Sequence, residues 1–214
     1  MTSSIVVLIS GSGSNLQAII DAVKAEEIPG EIRAVISNKA EAYGLERAKQ
    51  AGIATEVLSH TDFSSRESFD QAMIRLINQY DPDLVVLAGF MRILSPAFVQ
   101  YFEGRLLNIH PSLLPKFQGL HTHKRAIEAG EKEHGASVHF VTEELDGGPV
   151  FIQAAVELDK EDTPESLAAK VLKQEHLIYP IAVKWVLEGR IQLKGGVPYL
   201  DGISLANNIP KLSV

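Results

Sequence analysis

The first half of the chain alternates short, continuously apolar stretches with segments in which apolar residues recur every three or four positions. The apolar stretches predict strands at residues 5–10, 32–37, 55–58, 84–88 and 106–109. The helical spacing predicts helices at residues 15–26, 43–51 and 65–80. Strands that are apolar on both faces and alternate with helices are typical of a parallel sheet covered on both sides.

The second half has a different pattern. Strand-like stretches at residues 137–141 and 150–156 flank a turn-rich stretch, and a long helix follows. Thr163 is the predicted cap of this helix, Pro164 its first residue and Gly189 its stop, after about Leu187. We therefore predict one α/β domain over residues 1–214. Its core would be a Rossmann-like, mostly parallel, twisted sheet with helices on both faces and antiparallel additions in the C-terminal part.

Composition and charge exclude several classes of protein. The chain has 214 residues, 45% of them hydrophobic and 22% charged, which suits a globular domain that needs no disulfide or metal for stability. Cysteine is absent, which excludes a disulfide framework, a zinc–thiolate site and a cysteine nucleophile. The formal charge of −7 argues against a general nucleic-acid binder. Neither a signal peptide nor a membrane span is found, so we expect a cytoplasmic protein.

The loop after the first predicted strand is rich in glycine and reads GSGSN at residues 11–15. Glycines let the backbone approach a ligand, and a helix start offers N–H donors to an anion. The loop does not match a dinucleotide fingerprint, because Leu16 occupies the third glycine position, and it lacks the Gly-Lys-Ser/Thr of a P-loop. We interpret it as a site for a single phosphate. The alternative is a turn in which Ser14 or Asn15 simply caps the helix.

The segment after the fourth predicted strand, residues 89–96, is apolar except for one arginine. Such a stretch is either packing between the sheet and a helix or the edge of an apolar pocket. In the second case, its backbone groups would hydrogen-bond a heterocycle.

The fifth predicted strand carries Asn108 and His110 at its carboxyl end, where ligands bind in parallel sheets. Side chains two residues apart on a strand share a face, and an amide beside an imidazole can stabilise an oxyanion. Asp146, in a later acidic loop, would favour the cationic form of His110 if the fold brought them together. The alternative is that Asp146 is an ordinary turn residue. His121 and His123 lack acidic or cysteine neighbours at ligand spacing, which favours a helix start or substrate lining over a metal site.

Four motifs together carry a resemblance to a known family. They lie at residues 11–16, 88–94, 107–115 and 137–149. They resemble the glycinamide ribonucleotide formyltransferases, within the wider family of 10-formyltetrahydrofolate enzymes. The Asn–x–His motif with a later Asp marks the wider family, and the glycine loop and short chain narrow the match to the bacterial monofunctional type. The match runs from about residue 5 to residue 180, and the stretch after about Lys194 is the part of the chain least like the family.

The resemblance implies a set of site residues and two halves of the domain. Asn108, His110 and Asp146 would be catalytic. The remaining contacts are substrate-binding residues Gly13, Ser14, Asn15 and Glu175, and folate-binding residues Arg66, Met91, Arg92, Ile93, Leu94, Asn108, Val141, Glu143 and Asp146. Residues 1–105 would bind the phosphate and ribonucleotide, and residues 106–214 would carry catalysis and close over the folate.

The implied activity is formyl transfer from 10-formyltetrahydrofolate, a co-substrate, to the amine of glycinamide ribonucleotide in purine biosynthesis. No metal, nucleic acid or membrane would take part, and the protein would be a monomer or a homodimer. A 10-formyltetrahydrofolate hydrolase is an alternative, although such enzymes carry an added N-terminal domain. A methionyl-tRNA formyltransferase would carry an added C-terminal domain. A non-catalytic nucleotide-binding module would leave Asn108, His110 and Asp146 unexplained.

Overall fold

The computed structural model describes residues 2–213, and the chain divides into two compact units, Met1–Asn108 and Ile109–Val214. The elements that begin in the first unit are β1 (Ser3–Ile9), α1 (Ser14–Lys24), β2 (Gly30–Ser37), α2 (Tyr43–Gln50), β3 (Ala54–Val57), α3 (Arg66–Asn78), β4 (Leu84–Leu87), α4 (Pro96–Tyr101) and β5 (Leu106–His110).

The strands of the first unit are parallel and lie in the order β3-β2-β1-β4-β5. Strand β1 is central, and its residues from Ile5 to Ile9 are fully buried. Helix α1 buries Leu16, Ile19 and Ile20, the residues that gave it helical spacing. The predicted parallel sheet of the first half is confirmed, with each strand boundary within two residues of its prediction.

The second unit continues with α5 (Thr122–Glu128), β6 (Glu133–Phe140), β7 (Val150–Glu157), α6 (Pro164–Leu187), β8 (Ile191–Lys194), β9 (Val197–Leu200), β10 (Ile203–Ser204) and β11 (Lys211–Ser213). Strands β6 and β7 are antiparallel, and β11 joins β7 in parallel. Strands β8, β9 and β10 form a separate small antiparallel sheet. The predicted antiparallel additions, and with them the predicted fold class, are confirmed.

Helix α6 begins where the sequence predicted. The Thr163 side chain accepts a hydrogen bond from the Ser166 backbone N–H, and the Ser166 hydroxyl accepts one from the Thr163 backbone N–H, which completes a capping box. The helix packs on β6 and β7 and buries one stripe of apolar side chains. It continues through Pro180 to Leu187. Within residues 2–213, no helix has both the length and the apolar character needed to cross a membrane.

Strand β6 differs most from its prediction, because it begins at Glu133 rather than residue 137. Its first residues lack an apolar run, yet Gly135 is buried, and a Cβ there would lie 1.9 Å from the Ala154 carbonyl oxygen. Pairing with β7 therefore requires the smallest residue at this point, which makes the strand resemble a loop in the sequence.

Candidate active site

His110 ends strand β5 and is buried, with 5% of its surface exposed. Its Nε2 lies 2.9 Å from the Phe117 carbonyl oxygen, and its Nδ1 lies 3.3 Å from Asp146 Oδ2. Both ring nitrogens therefore face oxygen acceptors. These two contacts fix the orientation of the imidazole at the end of β5.

The Asp146 carboxylate is held by the main chain of the segment that follows His110. Its Oδ2 accepts a hydrogen bond of 2.9 Å from the Gly119 backbone. Asp146 itself has a left-handed backbone with φ of 50°, and its side chain is 8% exposed. Two residues later, a Cβ on Gly148 would lie 1.8 Å from the Phe140 carbonyl oxygen. The conformation of this turn thus orients the Asp146 carboxylate toward His110.

His139, on β6, is a neighbour of this pair that the sequence did not single out. Its Nε2 lies 3.9 Å from Asp146 Oδ1, and its Nδ1 donates to the Phe140 carbonyl oxygen at 2.9 Å. Burial lowers the pKa of His139, although the Asp146 charge opposes this. Asp146 therefore lies between two buried imidazoles, of which His139 is kept neutral.

A cavity of about 260 Å³ opens beside Asp146 in the second unit. Its lining includes Leu114, Gln118, Glu144, Asp146, Gly148 and Ile209. Since a water molecule takes up about 30 Å³ in the liquid, there is room for several waters next to the carboxylate. The site can therefore support proton transfer through water.

Asn108 lies two residues before His110 on β5 and is half-buried. Its Cα pairs with that of Leu87 on β4. Strand geometry directs the side chains of Asn108 and His110 to one face, as the alternation predicted.

The glycine loop has the conformation of a helix start without a side-chain cap. Gly13 is the N-cap of α1 with φ of 70°, and within residues 2–213 no side chain bonds to the helix start there. The alternative in which Ser14 or Asn15 caps the helix is therefore wrong. Gly13 packs against the first turn of α2, where its Cβ would lie 2.5 Å from the Gly44 Cα. The Gly44 backbone also donates to the Gly11 carbonyl at 3.0 Å.

Arg47 adds a positive charge to this loop that the sequence reading missed. Its Nε donates to the Ser12 carbonyl oxygen at 2.8 Å, and a second guanidinium nitrogen lies 3.3 Å from Gln17 Oε1. The loop thus combines a helix start with a guanidinium group, and both favour an anion.

The segment from Met91 to Leu94 presents apolar side chains to solvent. Met91 is 66% exposed and Ile93 is 60% exposed, so these two side chains are not packing between the sheet and a helix. The Arg92 guanidinium lies 5.1 Å from the centre of the Phe69 ring. Two exposed apolar side chains flanking an ordered arginine form a surface suited to a flat, partly polar heterocycle.

The remaining predicted contacts lie on separate elements. In the first unit, Arg66 begins α3 and lies 3.6 Å from Glu67 in an ion pair. In the second unit, Val141 is half-buried just after β6, and Glu143 is exposed in the loop that follows. Glu175 is buried on α6. Burial of the Tyr179 ring, together with the charge of Glu175, raises the pKa of Tyr179.

Comparison with known proteins decides the family. The formyl transferase family matches residues 3–183. The chain belongs to this family. It is 60% identical over 199 residues to phosphoribosylglycinamide formyltransferase of Escherichia coli, covering 93% of this chain and 94% of that protein. The Haemophilus influenzae protein of the same name is 53% identical, covering 94% of this chain and 95% of the other.

A solved structure agrees with this assignment. The phosphoribosylglycinamide formyltransferase of Coxiella burnetii is 51% identical, covers 99% of this chain and 100% of its own, and superposes with a TM-score of 0.94. The formyl transferase match includes every site residue predicted above and ends before the small sheet of β8, β9 and β10.

Two further histidines of this formyl transferase have structural positions. His121 is the N-cap of α5, a helix start as one of the predicted alternatives had it. His123 Nδ1 lies 3.2 Å from His134 Nε2, and burial lowers the pKa of both rings, that of His134 to about 4. Among the residues from 2 to 213, no group of three or more histidine or acidic side chains could hold a metal ion.

Proposed function

We propose that this chain transfers the formyl group of 10-formyltetrahydrofolate to the amine of glycinamide ribonucleotide. The products are formylglycinamide ribonucleotide and tetrahydrofolate, in purine biosynthesis. The observation that carries the proposal is the buried pair of His110 and Asp146 at 3.3 Å, at the end of β5 in a formyl transferase. Relatives that match nearly the whole chain bear the name of this activity.

The chemistry follows from the charges at this pair. The neutral amine of the ribonucleotide attacks the formyl carbon, and a tetrahedral oxyanion forms. Cationic His110 and the Asn108 amide would stabilise the oxyanion in a site poor in bulk water. The Asp146 carboxylate would stabilise positive charge on His110 as the oxyanion forms and would orient a water beside it. That water carries a proton from the attacking nitrogen to the folate nitrogen, whose bond to the formyl carbon then breaks.

The residues that bind the two substrates are those that the family resemblance implies. Gly13, Ser14 and Asn15 would hold the ribonucleotide phosphate, with Arg47 beside them, and Glu175 the glycinamide end. The folate would lie on Met91, Arg92, Ile93 and Leu94, with Arg66 and the 141–146 loop completing its site. Binding both substrates in the right orientation would account for much of the rate acceleration, because the reacting groups are then held close together. The single domain, the monomeric or dimeric state and the cytoplasmic location stay predictions.

One assay separates this proposal from its alternatives. The chain is incubated with 10-formyltetrahydrofolate, with and without glycinamide ribonucleotide, and tetrahydrofolate is measured. We expect product only when the amine is present. Equal product without it would establish a hydrolase, and no product in either case would establish a binding module. A metal chelator should leave the rate unchanged, because no step requires a metal.

A further inference from the structure

The backbone of the segment from Met91 to Leu94 is fixed at both ends by buried polar side chains. At its start, the Met91 backbone N–H donates to Ser10 Oγ at 2.8 Å. Just beyond its end, the Ser95 backbone N–H donates to Asp70 Oδ2 at 2.6 Å. Both acceptors come from elements distant in sequence, so each bond ties the segment to the body of the first unit.

Ser10 forms the junction at the first end. It follows β1 and is 5% exposed. Its backbone N–H donates to the Gly89 carbonyl at 3.1 Å, and its hydroxyl donates to Asn38 Oδ1 at 2.5 Å. The hydroxyl proton is therefore engaged with Asn38, and the Ser10 oxygen is left oriented to accept from Met91. The same residue directly precedes the glycine loop.

Asp70 at the second end is a costly residue to bury. It lies on α3 and is 2% exposed. Its Oδ1 is buried without a hydrogen-bond partner within residues 2–213, and the same is true of Nε of Arg92, which belongs to the 91–94 segment. Buried polar atoms without partners reduce stability, and in native proteins they point to a functional constraint.

A fixed backbone explains how Met91 and Ile93 can be exposed and still be ordered for binding. A ligand that meets a surface already in its bound conformation does not have to order it, and its affinity rises accordingly. We infer that Ser10 and Asp70 are positioning residues, which hold the 91–94 segment in its folate-binding conformation before the folate arrives. This inference rests on the proposed function, because it takes the 91–94 segment as the folate site.

The test compares substitutions at the two ends of strand β1. Ser10→Ala removes the Met91 acceptor. Ser4→Ala is the matched control, because Ser4 is also buried and bonds to Asp81 and Asp83 at the other end of the strand. Losing one buried hydrogen bond should weaken folate binding by roughly tenfold in Ser10→Ala and leave it within about twofold in Ser4→Ala. Ribonucleotide affinity and kcat should change by less than about threefold in both.

Hydrogen exchange and rescue variants separate positioning from general damage to the fold. The Met91 amide should exchange faster in Ser10→Ala than in Ser4→Ala, at matched global stability. Asp70→Ala should do the same at the Ser95 amide. Ser10→Thr and Asp70→Asn each keep an acceptor oxygen and should recover most of the folate affinity. If Ser10→Ala and Ser4→Ala weaken folate binding equally, the inference is overturned.

A separate pair of variants distinguishes this inference from the proposal beneath it. Met91→Ala and Ile93→Ala remove the exposed apolar side chains and leave both anchors in place. If they do not alter folate binding, the folate site itself is wrongly placed. If they weaken it while Ser10→Ala and Asp70→Ala match the control, only the positioning role fails.

Discussion

The two units of this chain build their candidate sites from different materials. In the first unit, the predicted binding segments are held through main-chain groups, such as the Gly44 N–H on Gly11 and the Met91 N–H on Ser10. In the second unit, the site consists of ionisable side chains, two buried histidines around a carboxylate. We conclude that changes in the 11–15 and 91–94 segments should mainly cost affinity, and changes at His110 and Asp146 should mainly cost rate.

The largest expected effect is on the rate, from His110→Ala. Loss of the cationic group that faces the oxyanion should lower kcat by about 10³-fold, while folate binding changes little. Steady-state kinetics measures kcat, and calorimetric titration measures folate binding. His121→Asn is the control, because it removes an exposed histidine and asparagine tolerates the left-handed backbone at that position. A variant of His110 that kept more than about a tenth of the rate would contradict the assignment.

Asp146→Asn should lower kcat by about 10²-fold, because the neutral amide no longer favours the cationic His110. Nitrogen-15 NMR of the ring reports whether both nitrogens carry a proton at neutral pH, and the doubly protonated form should decline. Asp201→Asn is a matched control, since Asp201 also has φ of 50° but is exposed and pairs with Arg190. An unchanged His110 spectrum would mean that the carboxylate acts by another route.

Gly148 is the point at which the second unit also depends on its main chain. Gly148→Ala forces a Cβ against the Phe140 carbonyl and should lower the free energy of unfolding by about 3 kcal/mol. In Gly147→Ala, the added Cβ meets the Glu144 side chain, which can move, so the loss should be smaller. Urea unfolding monitored at Trp185 measures both. Equal losses would show that the turn shifts as a whole.

The smallest expected effect is on stability at mildly acidic pH. Burial lowers the pKa of His134 to about 4 in the folded chain, against 6.5 for the ordinary side chain. The unfolded chain thus binds the proton more readily, so stability is complete above pH 6.5 and is lost as the pH falls toward 4. Between pH 7.5 and 5, we expect a loss of about 2 kcal/mol in urea unfolding. In His134→Gln, the loss over this interval should shrink.

Local signals in the sequence predicted most elements well. Continuous apolar runs identified the parallel strands, and Thr163 with Pro164 located the start of α6, because caps and strand burial are properties of neighbouring residues. The first residues of β6 were not predicted as strand. Glycine is needed at Gly135 because a side chain there would meet a carbonyl oxygen of the partner strand, and its sequence neighbours do not show this. The rule that ligands meet strand ends predicted where His110 would lie.

The residues that the sequence did not predict act through contacts distant in the chain. His139 lies near Asp146 through the folding of a loop in which Asp146 has a left-handed backbone, and no sequence periodicity marks such a contact. Arg47 reaches Ser12 from a separate helix. Ser10 and Asp70 accept from backbone groups far away in the sequence, and nothing in their local sequence marks those groups.

The contact between Gly13 and Gly44 decides what a mutational scan of this gene could teach. Any side chain at Gly13 would meet the Gly44 backbone, and a side chain at Gly44 would meet Ile9 and Gly13. Selection would therefore reject substitutions at both positions even for a protein with no ligand to bind. Gly11 is different, because a Cβ there would have no atom within 4 Å among the described residues. Intolerance at Gly11 would thus be a signature of the substrate rather than of the fold.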